Sequence, residues 1–316
     1  MIITVYNKER YLNNLFGSIF SQDLTNVELI VVNDGSTDNS LKIISNYKID
    51  KLINFEENIG IPSSRNRGIR ESEGDYLWFI DADDLIVTGS INRIKDFIDK
   101  STSKKDIILS NSYIENSNLF SEKLVPMYQY SDIFKNFDNM VSTDIFLFLL
   151  ILKLKANWNI WCHIFNRNFL INRRLFFDEK MIINEDVDWF IRVLLEVSTF
   201  DIIEYPIYIH RINMDSFSRS LNLDKFKVSC EINLKWYNYF NEYRNEYPKS
   251  SILMRYKMYN TFLAMKDIYT KQRGEYVKVF SDFLSKFSDV DELRIFKRIR
   301  ELANQRQLKN DNINNF

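Results

Sequence analysis

The sequence predicts an α/β protein: a mostly parallel sheet with helices on both faces, followed by a C-terminal helical extension. Three observations predict it. Short β-rich runs alternate with helical-period stretches over the first hundred residues, polar clusters follow several of those runs, and the apolar spacing beyond residue 222 is helical throughout.

Each element has its own signal. Ile2 to Tyr6 and Val27 to Asn33 read as buried strands, joined by a helix on which Leu12, Leu15, Phe16, Ile19 and Phe20 recur at helical spacing. A second helix is expected over Ser36 to Tyr47 and a third strand over Lys51 to Phe55. Pro62 opens the next helix, to Ser72, because proline suits a first turn. Strand four follows over Tyr76 to Ile80, then a helix over Thr88 to Lys100 and a strand over Asp106 to Ser110. From Tyr113 to Asn159 the pattern is irregular apart from an apolar helix around Phe146, Leu149 and Leu150. Order resumes with Trp161 to Phe177, a helix over Glu185 to Val197, and strands at Phe200 to Ile203 and Ile207 to His210. The domain reading is a catalytic unit over 1–221, with halves 1–112 and 113–221, and a helical extension over 222–316.

At 316 residues, with 45% hydrophobic side chains, the chain has the apolar content of a folded protein. Forty-two basic and 43 acidic residues nearly cancel, which excludes the broad basic footprint of a nucleic-acid binder. Cys162 and Cys230 stand too far apart for a zinc knuckle, so two buried thiols in a reducing cytoplasm are expected. No secretory leader is expected, since Lys8, Glu9 and Arg10 follow a short apolar start, and the apolar run Ile145 to Leu152 is too short to span a bilayer. Near the C-terminus, Ile295, Phe296, Ile299 and Leu302 share a helical face bordered by Arg294, Lys297, Arg298 and Arg300. That face either packs on neighbouring helices or makes peripheral contact with the inner face of the cell membrane.

Open α/β sheets bind ligands beyond the carboxyl ends of their strands. There the sequence places Val5-Tyr6-Asn7, then Asn33-Asp34-Gly35-Ser36-Thr37-Asp38, then Asp81-Ala82-Asp83-Asp84. Asn58-Ile59-Gly60 and Ser64-Arg65-Asn66-Arg67-Gly68 add a helix N-terminus and cations to the same rim, as an anionic ligand requires. Clustered carboxylates repel, and a hard divalent cation that bridges to phosphates offsets the repulsion. The same run also reads as an acidic turn capping the next helix, and Asp34-Gly35-Ser36 as a tight turn before an N-cap. Glu185-Asp186 alone is an ordinary helix start.

In order and spacing, these motifs resemble the family 2 glycosyltransferases of the GT-A fold, a Rossmann-like architecture. The likeness is close over the first 110 residues and resumes at Trp161, Asn184-Glu185-Asp186 and Tyr208 to Ser218. Thr4 stands where proline is common, and Asn33 where the first of two aspartates is common. The resemblance implies a nucleotide-sugar donor, a UDP-sugar above all, with Mn2+ or Mg2+, and inversion at the anomeric carbon. It implies a hydroxyl acceptor on a bacterial capsular glycan or lipid-linked oligosaccharide. By position, Val5, Tyr6, Asp34 and Arg65 would hold the base, with Asn7, Gly35, Asn58, Asn66 and Ala82 around the donor. Asp81 would face the ribose, Asp83 would bind the metal, and Asp186 would be the catalytic base with Glu185 beside it. His210 lies where related folds place a diphosphate contact or a further metal ligand, and equally reads as a hydrogen-bonded surface histidine. For His163, packing is the expectation. The rival readings are a nucleotidyltransferase, distinguished by release of pyrophosphate instead of UDP, and a catalytically idle nucleotide-binding or interaction protein.

Overall fold

The computed structural model describes residues 1–115, 125–126, 143–144, 159–211, 223–252, 254–256 and 258. The expected apolar helix at 145–152, the stretch 212–218 and the basic helix at 294–302 lie outside the described residues. The chain divides into two compact units, Met1–Ser220 and Leu221–Phe316.

In the first unit, β1 (Ile2–Val5), β2 (Ile30–Asp34), β3 (Lys51–Phe55) and β4 (Tyr76–Asp81) form the parallel half of a sheet in the order β3-β2-β1-β4. The crossovers run through α1 (Glu9–Phe20), α2 (Ser40–Ile44) and α3 (Ile61–Glu71). α1 buries Leu12, Leu15, Phe16 and Ile19, the stripe that the sequence predicts. α3 lies so close to β1 that a Cβ on Gly68 would sit 2.4 Å from Ile2 Cγ2, which restricts that position to glycine. α2 is shorter than expected. The Asn7 side chain accepts from the Thr37 backbone at 2.8 Å, and Glu9 accepts from Asn39 at 2.9 Å, so 36–39 are held as a turn.

Beyond β4 the sheet is mixed. β8 (His163–Asn166) runs antiparallel to β4 and to β6 (Ile107–Glu115), and β6 pairs parallel with β9 (Phe200–Arg211). The two short strands expected at 200–210 are one strand, which keeps its pairing past Pro206 by register shifts around Asn111 of β6. A two-residue strand that the sequence does not signal, β5 (Leu85–Ile86), pairs antiparallel with β9, Leu85 opposite Ile209 and Ile86 opposite Tyr208. β7 (Val125–Pro126) pairs with β6. The remaining helices of the unit are α4 (Ser90–Lys100), α5 (Arg167–Asn172) and α6 (Glu185–Glu196), with a 3-10 turn at Ile160–Cys162.

α6 is fixed firmly. Trp189, Phe190, Val193 and Leu194, its predicted apolar face, are all buried, Trp189 stacks on Phe177 at 4.4 Å, and its indole N–H donates to the Leu175 carbonyl at 2.8 Å. Both cysteines are free and buried. His163 is a core residue: it stacks on Phe190 at 5.0 Å, and burial pushes its pKa down to about 3, so it is a neutral packing group. In the second unit, α7 (Leu223–Glu242) buries Phe226, Cys230, Trp236, Tyr237 and Phe240 at helical spacing. Among the described residues, no helix is long and apolar enough to cross a membrane.

Candidate active site

Register places the candidate groups on one edge. Val5 of β1 pairs with Asn33 of β2, Thr4 with Asp81 of β4, and Asp34 with Phe55 of β3, so their carboxyl ends open together. Val5 and Ala82 are buried there, whereas Tyr6 is exposed. Asn33 is buried and donates its amide to Asn54 at 2.6 Å.

Asp34 is buried, and the 58–60 loop wraps its carboxylate. Ile59 N–H donates at 2.7 Å, Gly60 N–H at 3.1 Å and Asn58 Nδ2 at 3.1 Å. These three donors hold the carboxylate in one orientation. Gly35, next along, has φ +67°, and a Cβ would fall 2.4 Å from the Glu57 carbonyl carbon, so the turn requires glycine. Asn7, also at positive φ, closes the opposite side: its N–H donates to Ser36 Oγ at 3.0 Å. Asn66 turns away from the rim. Its Nδ2 donates to the Phe177 carbonyl and to Glu179 Oε1, both at 2.9 Å, and its Oδ1 accepts from Phe177 N–H at 2.8 Å.

Arg65 is the cation at the centre. Buried and lying over the Phe177 ring at 5.4 Å, it donates from Nη2 to Asp81 Oδ1 at 3.1 Å and from Nη1 to Glu185 Oε1 at 2.9 Å. One guanidinium therefore joins the end of β4 to the first turn of α6. Asp186, the next residue, is half-buried and accepts from Val187 N–H at 2.8 Å. Desolvation first, then the neighbouring Glu185 charge, push its pKa up to about 7, while Arg65 pulls it back. A carboxyl poised there exchanges protons near neutrality, as a general base must.

The acidic turn after β4 divides its labour. Asp84 is buried and accepts from Tyr208 Oη at 2.8 Å and Arg211 N–H at 2.8 Å, and it contacts His210 Nδ1 at 3.2 Å. Tyr208 Oη also accepts from the Asp81 backbone N–H at 3.0 Å, and the Trp161 ring stacks between Tyr208 and His210, 4.6 and 5.0 Å away. Burial opposes charging His210, but the hydrogen bond and charge of Asp84, with Asp81 and Asp83 behind, outweigh it and raise its pKa. Asp83 faces out: Lys8 Nζ donates to its Oδ2 at 2.6 Å, and Arg211 Nε donates to its carbonyl at 2.6 Å.

These donors fit a hard divalent cation. The Asp83 carboxylate already holds a positive group, and Asp84 on Nδ1 of His210 leaves Nε2 uncommitted, an arrangement in which a carboxylate can orient an imidazole toward a metal. No three His, Cys, Asp or Glu side chains among the described residues form a complete cage. A cation that takes its remaining oxygens from water and a bound diphosphate does not require one. Sequence reasoning missed Lys8, Tyr208 and the bridging part of Arg65. Lys8 alone carried a signal, as the cation directly after Tyr6-Asn7.

A curled α/β sheet whose carboxyl edge gathers a wrapped aspartate, an acidic turn and a poised carboxylate is the architecture of a GT-A glycosyltransferase. Residues 1–173 match Glycosyl transferase family 2, and the chain belongs to that family. It is 24% identical over 229 residues to the uncharacterized glycosyltransferase EpsJ of Bacillus subtilis, covering 69% of this chain and 62% of EpsJ. To the cholesterol galactosyltransferase of Borreliella burgdorferi it is 26% identical over 284 residues, covering 85% of this chain and 75% of that protein. Among solved structures it resembles TarS 1-349 of S. aureus in complex with UDP-GlcNAc, with a TM-score of 0.65 at 21% identity, covering 90% of this chain and 80% of that one. At this identity the likeness is one of fold.

Proposed function

We propose that the chain is an inverting, metal-dependent glycosyltransferase of the hexosyltransferase type. It moves a sugar from a UDP-sugar to a hydroxyl of a growing bacterial surface glycan, capsular or lipid-linked. The observation that carries this reading is Asp186, a carboxyl with a pKa of about 7, tied through Glu185 and Arg65 to Asp81 at the donor rim. The TarS complex with UDP-GlcNAc supports a UDP-sugar donor, and the galactosyltransferase relative supports a hexose on a lipid acceptor.

The acceptor hydroxyl gives its proton to Asp186 as its oxygen bonds to the anomeric carbon from the face opposite the nucleotide. The bond from that carbon to the β-phosphate oxygen breaks, and UDP leaves with the electron pair. Asp83 and His210 would hold a divalent ion, Mn2+ or Mg2+, which when bound would supply positive charge for the leaving diphosphate. Arg211 and Lys8 add positive charge at the same corner. Asp34, locked by the 58–60 loop, would read the base, and α6 anchors Asp186 against the core.

Residues 1–221 form the catalytic domain in this reading, and residues 222–316 are an extension that carries no donor motif. The site works on the cytoplasmic side of the membrane, and the basic sequence at 294–302 either packs on its neighbours or is the segment through which a peripheral membrane contact would run. Incubation with UDP-sugars, Mn2+ and candidate acceptors tests the reaction. UDP release with an inverted anomeric linkage, read by NMR, is expected; pyrophosphate release or a retained configuration refutes it. Flotation on anionic vesicles tests the membrane contact: full chain and a chain ending at Asp291 floating equally would refute it.

A further inference from the structure

Asp83 does not wait for a cation with an empty carboxylate, because Lys8 Nζ sits on its Oδ2 at 2.6 Å with both side chains partly shielded, 28% and 18% exposed. The backbone of Lys8 is fixed: it stands at the N-cap of α1, and its N–H donates to Ser40 Oγ at 2.9 Å. Its four-carbon stem leaves the ammonium free to relocate. A second cation faces the same residue, since Arg211 Nε donates to the Asp83 carbonyl at 2.6 Å. Both cations share the Tyr11 ring, Lys8 at 5.7 Å and Arg211 at 5.3 Å from its centroid. A bare dication approaching Asp83 must therefore displace one positive group and stand beside another. A nucleotide diphosphate reverses that balance, because it brings negative charge for both the dication and the released ammonium.

We propose that Lys8 is a built-in competitor of the divalent cation: it occupies Asp83 while the donor site is empty, and it passes to the diphosphate when nucleotide and cation enter together. Lys8 thereby makes metal binding conditional on nucleotide and gives UDP some affinity without metal. The inference rests on the reading of Asp83 as a metal ligand.

The test uses the full chain and Mn2+ alone as probe, with unbound Mn2+ read from its EPR signal and folding checked by thermal unfolding. Without UDP, Lys8→Met should bind Mn2+ roughly three- to tenfold more tightly than wild type, the range for a partly exposed ion pair with a like-charge contribution. Lys8→Arg, which keeps the charge, should stay near wild type. In EDTA, calorimetry should show UDP binding Lys8→Met roughly threefold more weakly or worse. Equal Mn2+ affinities in wild type and Lys8→Met, including no binding in either, overturn the inference. Asp83→Asn separates the two layers. If it retains full Mn2+-dependent UDP binding, the ligand assignment itself fails, whereas its loss beside an unchanged Lys8→Met sinks only the role of Lys8.

Discussion

Arg65 Nη1 stands 2.9 Å from Glu185 Oε1, a contact between residues 120 positions apart that brings the helix after β3 to the start of α6. The same guanidinium reaches Asp81, so the Arg65 charge bears on Asp186 as well as on the donor rim.

The first prediction follows from that charge. Asp186 accepts a proton only when ionised, so kcat/KM should fall as pH drops below about 7, the value to which burial and Glu185 raise it. Arg65→Met removes a cation that favours the ionised form, and the acid limb should move upward by roughly one pH unit. Arg65→Lys, which keeps a charge, should move it less. Overlapping pH profiles for all three proteins would refute the coupling.

Asp186→Asn keeps the side-chain shape and removes the proton acceptor. Single-turnover rates should drop by roughly 10²- to 10⁴-fold while UDP affinity by calorimetry stays within a few-fold. Glu185→Gln should lose less. Near-normal turnover in Asp186→Asn would assign the base elsewhere.

The same substitution should stabilise the protein in alkali. A carboxyl whose folded pKa lies above its unfolded value binds its proton more tightly when folded, so wild-type stability declines as pH rises from about 4 through 7. The Asp186→Asn protein carries no titrating charge at that position. Thermal unfolding at pH 8 should therefore place Asp186→Asn above wild type, by a few kcal/mol at most, with the gap closing toward pH 4. A gap of the same size at both pH values would mean that titration is not its source.

Asp83→Ala deletes a carboxylate at a partly exposed rim and frees Lys8. Mn2+-dependent UDP binding should be lost with little change in unfolding temperature. Unaltered Mn2+-dependent affinity in calorimetry would remove Asp83 from the metal site.

Gly35→Ala should disable the donor rim through the backbone. Its Cβ would meet the Glu57 carbonyl carbon at 2.4 Å in a φ +67° conformation, so the turn and the loop that wraps Asp34 cannot both persist. A loss of about 2 kcal/mol or more is expected from denaturant unfolding. Wild-type stability together with wild-type UDP affinity would contradict the geometry.

Much of the parallel half of the sheet is legible because local signals suffice there. β-rich runs followed directly by Asn7, Asp34 and Asp81 give strands, and the carboxyl-end rule for α/β sheets says where to look for ligands. The apolar stripe Trp189, Phe190, Val193 and Leu194 likewise gave α6. Other features leave no periodic trace. α2 is short because Asn7 and Glu9, far away in sequence, grip residues 36–39. β5 is a strand only because β9 lies alongside it. Arg65 reads locally as a cation near a helix start, and only the fold reveals that it joins Asp81 to Glu185.

The pairing of β5 with β9 also has a temporal side. Asp84 takes its partners from Tyr208, His210 and Arg211, and β5 takes its ladder from Tyr208 and Ile209. A nascent chain that has emerged only through residue 173 contains the whole family-matched segment, with Arg65 for Asp81 and Lys8 for Asp83, but none of the three residues that hold Asp84. The seating of Asp84 is thus completed late in synthesis, by contacts of high sequence separation that form slowly. If the proposed function holds, the growing polypeptide should handle nucleotide and metal poorly until β9 arrives, and the first turnover waits for the assembled unit.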